Sequence, residues 1–138
     1  MRNLDKIIFH CSDTRTDQSF TVNDIRNWHV KGNGWSDIGY HYYIDLKGHQ
    51  HVGRHISKSG AHTKGHNKNS IGVCFEGGKN PDGTKWEKPN KNQLHQAKIL
   101  TDFLRSSYGE LTIHGHCEFS SKTCPNFDVC LIEEFKHE

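Results

Sequence analysis

The sequence has no long apolar run. None of its 138 residues falls in a stretch approaching the roughly 18 consecutive apolar residues that a membrane span needs, so no membrane insertion is expected. It also has no recognisable leader. The N-terminus, MRNLDKIIFHC, offers only a short apolar run, so cytoplasmic synthesis without a signal peptide is expected. A basic surplus is missing too. The net charge is +2 and the pI about 8.3, which gives no support for nucleic-acid binding. The five cysteines have no repeated spacing, which argues against a disulfide framework, and the absence of close CxxC pairs argues against a finger-type zinc site. There are no repeats or low-complexity tracts. The length fits one domain over 1–138. A hydrophobic content of 32% points to a small core carrying long surface loops.

What is present alternates between strand and helix patterns. KIIFHC at 6–11 reads as a strand, with Ile8 and His10 on one face and Ile7, Phe9 and Cys11 on the other. A turn cluster, Ser12-Asp13-Thr14, follows, which places His10 at the carboxyl end of an interior strand. Thr21 caps a helix running to about Val30, with Ile25 and Trp28 on its core face. GYHYYID at 39–45 and HQHVG at 49–53 read as a hairpin, with Tyr40 and Tyr42 sharing a face. Residues 54–69 have no period and read as a long loop bearing His55, His62 and His66; His55 and His66 read as solvated. SIGVCFEGG at 70–78 reads as a buried central strand, in which Cys74, like Cys11, is an inert buried thiol. Leu94, Ala97, Leu100, Thr101 and Leu104 mark a helix over Lys91–Tyr108, ended by Gly109. LTIHGH at 111–116 is the last strand, and a short helix is expected within 127–137. The sum is an α/β fold: a single-domain mixed central β-sheet flanked by helices. If the first and last strands run parallel and adjacent, His10 and His116 meet at one sheet edge.

The segment HGHCEFSSKTC at 114–124 concentrates zinc-ligand chemistry, because imidazole nitrogen and thiolate sulfur are the donors zinc prefers. A catalytic zinc takes three protein ligands and leaves one position open; His10, His116 and Cys124 give that count. Position 124 comes eight after position 116, a span that could extend on the order of 26 Å. The segment must therefore turn back on itself. Spacing alone does not choose between His114 and His116, nor between Tyr40 and Tyr42.

Four stretches occur in one order: FHCSDT at 9–14, DIGYHYYI at 37–44, GAHTKGHNKNSIGVCFEGG at 60–78 and HCEFSSKTCPNFD at 116–128. Together they resemble the phage-lysozyme branch of the zinc N-acetylmuramoyl-L-alanine amidases, relatives of the peptidoglycan-recognition proteins. The resemblance runs from about residue 5 to about residue 135. It implies a zinc held by His10, His116 and Cys124, catalytic roles for Tyr40 and Lys122, and a place for His62 on the substrate groove. It implies hydrolysis of the amide between the lactyl group of muramic acid and L-alanine in peptidoglycan, by a monomer acting on the wall after release or delivery. His114 and Cys117 depart from the phage pattern; a Cys117–Cys130 disulfide could form in an oxidising setting. Two alternatives are a wall-binding module that does not cleave and a regulatory module with structural zinc. Recognition members of the superfamily commonly lose the cysteine ligand, so Cys124 argues against the first.

Overall fold

The computed structural model describes residues 2–135. Its centre is a five-stranded sheet in the order β4-β3-β5-β1-β7, formed by β1 (Lys6–Cys11), β3 (Tyr42–Ile44), β4 (Gln50–Val52), β5 (Ser70–Phe75) and β7 (Thr112–Gly115). The strands β3, β5, β1 and β7 run parallel to their neighbours, while β4 pairs antiparallel at the edge. A two-stranded parallel ladder, β2 (Thr14–Arg15) with β6 (Gly78–Lys79), extends the carboxyl ends of β1 and β5. The first and last long strands are thus adjacent and parallel, with Phe9 opposite Gly115 and His10 opposite Cys74.

The period-2 patterns explain why the sheet is covered on both faces. Ile7, Phe9, Ile71, Val73 and Phe75 pack with Leu94, Ala97, Leu100 and Leu104 of α2 (Lys91–Tyr108) and with Val129 and Ile132 around α3 (Cys130–Glu134). Each buried Ile, Val, Leu or Phe among them contributes about 1.5–3 kcal/mol of transfer free energy. Asn90 and Gln93 close a capping box on α2, and Gly109, at φ 88, ends it in a conformation open chiefly to glycine. Gln93 is buried on the core face because its amide donates to the carbonyls of Ile44 and Glu76, tying α2 to two strand ends. The opposite face carries a smaller cluster of Ile25, Ile38, Tyr43 and Cys74 beneath α1 (Val22–Asn27).

Three expectations are corrected. Trp28 is not core: it is 44% exposed and packs edge-on to Phe20. The α-helical turns stop at Asn27, the chain continues as a π-helical turn, Trp28–Gly32, and Trp28 lies at this helix end over Phe20 rather than beneath it in the core. Tyr40 and Tyr42 do not share a face. The strand begins only at Tyr42, so Tyr40 joins the α1-side cluster while Tyr42 packs against the α2-side core. The terminal helix covers only Cys130–Glu134, and His137 lies outside the described residues. Cys11 and Cys74 are buried, and Cys117 and Cys130 are free, exposed thiols.

Candidate active site

His10 comes from the last turn of alternation in β1 and is 1% exposed. His116 does not continue β7. The strand stops at Gly115, and His116 opens a single 3-10 turn, His116–Glu118, capped by Glu118 accepting the Gly115 N–H. That break separates the two neighbouring histidines. His116 turns toward His10, with ring centroids 4.6 Å apart, while His114 hydrogen-bonds Thr112 and Glu118 at the surface. The segment after His116 does fold back, as Cys117 N–H donates to the Cys124 carbonyl at 2.8 Å. Gly115 permits the return, since a Cβ there would stand 2.9 Å from Pro125. Cys124 thereby reaches the end of β1, where its Sγ accepts the Cys11 backbone N–H at 3.1 Å.

One ligand atom each from His10, His116 and Cys124 lies within 4.8 Å of the other two. Donor atoms on a tetrahedral zinc stand roughly 3.3–3.7 Å apart, so the group fits the ion after small side-chain adjustments. The chemistry of the set fits as well. Burial first, then His62, His116 and Lys122, pushes His10 well below the ordinary histidine value; burial and Lys122 lower His116. Both imidazoles are held neutral, which is the ligating form. The Cys11 amide hydrogen is aimed at Cys124 Sγ and holds the sulfur beside the two rings.

These residues open onto a cleft of about 680 Å³ that also receives Tyr40, His62 and Lys122. Tyr40 stands 5.0 Å from His10, ring to ring. It can sit there because Gly39 passes so close to the Ala61 carbonyl that a Cβ would collide at 2.2 Å. Burial, then the thiols of Cys74, Cys124 and Cys11, raises the Tyr40 phenol well above its usual range, so it remains an O–H donor. Lys122 is exposed on the rim, and its charge is felt by both histidines. His62 is 9% exposed, with Nδ1 2.9 Å from His10 Nε2. All six residues singled out from the sequence therefore converge on one cleft.

Sequence reasoning missed His29, Asn33 and Trp35, which line the same cleft. His29 Nδ1 accepts the Gly39 N–H at 2.9 Å, and its ring lies tilted against Trp35 and Tyr40 at 4.8 and 5.4 Å. Only the π-helical turn brings it there, and no local pattern announces that turn. His66 is half-buried rather than solvated; its ring lies 4.2 Å from Phe119 and joins the two loops beside the cleft. Among the described cleft residues the one carboxylate is Asp13, which faces Lys79 Nζ at 3.7 Å.

The buried imidazoles make stability depend on acid. His41 is pushed down to about 4, first by desolvation, with Arg2 and Arg54 adding to it, and His62 is pushed down to about 3. An unfolded histidine takes up its proton near 6.5, so below that pH the unfolded chain binds more protons than the folded one, and stability falls as pH drops. For His41 alone the loss between pH 6.5 and 4 is on the order of 3 kcal/mol. Urea midpoints of the metal-free protein should fall between pH 7 and pH 4.5; a constant midpoint would contradict this assignment.

Residues 1–127 match the family model described as N-acetylmuramoyl-L-alanine amidase. The endolysin of Escherichia phage T7 is 38% identical over 127 residues, covering 92% of this chain and 83% of that protein. Among solved structures, the N-acetylmuramoyl-L-alanine amidase LysC from Clostridium intestinale superimposes with a TM-score of 0.83 at 28% identity, over 96% of this chain and 85% of that one. Bumblebee PGRP-SA superimposes with a TM-score of 0.77 at 26% identity, over 91% and 80%. With a family model spanning nearly the whole sequence, the chain belongs to the N-acetylmuramoyl-L-alanine amidase family.

Proposed function

We propose that the protein hydrolyses the amide between N-acetylmuramic acid and L-alanine in peptidoglycan, using one zinc ion held by His10, His116 and Cys124. The observation that carries the reading is the meeting of those three donors, from β1, the turn after β7 and the returning segment, in a cleft shared with Tyr40 and Lys122. When bound, zinc supplies a Lewis acid that makes hydroxide available near neutral pH.

The chain's own residues do the rest. Tyr40, kept protonated, donates its O–H to the oxygen that gains charge as the amide carbon becomes tetrahedral. The Lys122 ammonium, on the rim, stabilises the same charge. His62 borders the groove that takes the substrate, and Trp35 and His29 line the same cleft. The reading includes a monomeric catalyst that acts on the wall after release or delivery. The buried, neutral His10 and the amide-supported sulfur of Cys124 support zinc over a hard, oxygen-seeking cation.

Metal analysis tests the reading. The purified chain should carry one zinc, lose lytic activity on dialysis against a chelator and regain it with one equivalent of zinc. Full activity in the chelated, metal-free protein would overturn it.

A further inference from the structure

We infer that Ser70 and His62 are positioning residues that fix His10 as the Nε2-protonated imidazole, reserving its Nδ1 for the metal; this rests on His10 being a ligand, as proposed above. The hydrogen-bond chain can be followed from one end, where donor and acceptor are unambiguous. Ser70, the first residue of β5, is fully buried, and its Oγ lies 2.7 Å from the His66 carbonyl. A carbonyl only accepts, so the single hydroxyl hydrogen is committed there. The same Oγ lies 3.3 Å from His62 Nε2 and must accept, which places the His62 proton on Nε2.

His62 Nδ1 is then a lone pair. It lies 2.9 Å from His10 Nε2, which must supply the hydrogen. Thr63 Oγ1, 3.0 Å from His62 Nδ1 and 3.3 Å from His10 Nε2, is compatible with the same assignment as a second, longer acceptor of the His10 N–H. His10 Nδ1 is left with its lone pair and no protein hydrogen bond among the described residues. A metal-bound histidine characteristically donates its other N–H to an outer partner that fixes its orientation. Here that partner is a second histidine, itself fixed by a serine.

The fold is built around this ring. A Cβ at Gly60 or at Gly72 would stand 2.6 Å from His62 Cδ2, so both positions leave space only for the imidazole. Asn67 Oδ1 accepts the N–H groups of His62 and Thr63 at 3.0 and 2.9 Å, anchoring the loop at the point where the ring turns inward. With both nitrogens engaged inside the protein, His62 acts on His10 through hydrogen bonds and meets substrate only as a surface.

The test reads tautomers and metal affinity on the full chain. In the zinc-loaded parent, nitrogen NMR of labelled histidines should show His10 protonated at Nε2 and His62 protonated at Nε2. His62→Phe, which keeps an aromatic ring and removes the nitrogens, should weaken zinc affinity about 10- to 100-fold in competition with a chromophoric chelator, and Ser70→Ala should weaken it and mix the His62 tautomers. His10 protonated at Nδ1 in the parent would overturn the inference without any variant having to fold. Folded His62→Phe and Ser70→Ala that bind zinc like the parent would overturn it too. The control is His10→Ala. Retained zinc in that variant would remove the ligand reading itself, whereas lost zinc beside unaltered His62→Phe would remove only the relay.

Discussion

Tyr40→Phe and Lys122→Ala are each expected to lower kcat by about 10²–10³ while leaving one zinc per chain, the loss typical of removing one donor to a developing oxyanion. Neither side chain is among the three donors that cluster within 4.8 Å, so neither change should empty the site. The two variants should differ in a second respect. Tyr40 is half-buried beside His10, and removing its hydroxyl leaves its ring packed against the α1-side cluster, so thermal stability should change little. Lys122 is exposed, so its substitution should also spare stability, but the loss of its charge should ease protonation of His116 and His10. Steady-state kinetics with a soluble muropeptide, together with zinc content, separates these effects. Near-parental kcat in both variants would refute the roles given to them.

Cys124→Ser should reduce lysis to the no-enzyme background and release the metal. The change is nearly isosteric, yet it exchanges a thiol that ionises readily for a hydroxyl that does not, and it replaces the donor zinc prefers. Sγ now accepts the Cys11 N–H at 3.1 Å; a serine oxygen can take the same hydrogen bond, so folding should survive while zinc is lost. Far-UV dichroism and zinc content measured on one sample decide the matter. A variant that keeps stoichiometric zinc would show that the two histidines suffice or that another residue completes the set.

Much of this was legible in the sequence where a local pattern decides the outcome. The strand Lys6–Cys11 and the helix Lys91–Tyr108 have the bounds their periodicities predict, because each buries one continuous apolar face against the other. The ligand residues were legible through their types and the resemblance of the segments around them. Spacing alone could not separate His114 from His116, since on an unbroken strand both lie on one face; the break after Gly115 separates them. Trp28 and Tyr40 escaped their patterns because each stands at the limit of its element, Trp28 where the α-turns end and Tyr40 before the strand starts. His29 reached the cleft through the π-helical turn. The engagement of His62 with His10 joins residues 52 apart and depends on space left by Gly60 and Gly72, a property of the packed chain rather than of any short segment.

The central claim is the identity of the bond and of the agent that breaks it. Bacterial walls stripped of outer membrane should be digested by the purified chain with and without chelator, and the soluble products read by mass. The account predicts stem peptides with a free L-alanine amine, their release abolished by chelator and restored by zinc. Release of sugar fragments, or wall binding with no peptide release, would contradict it.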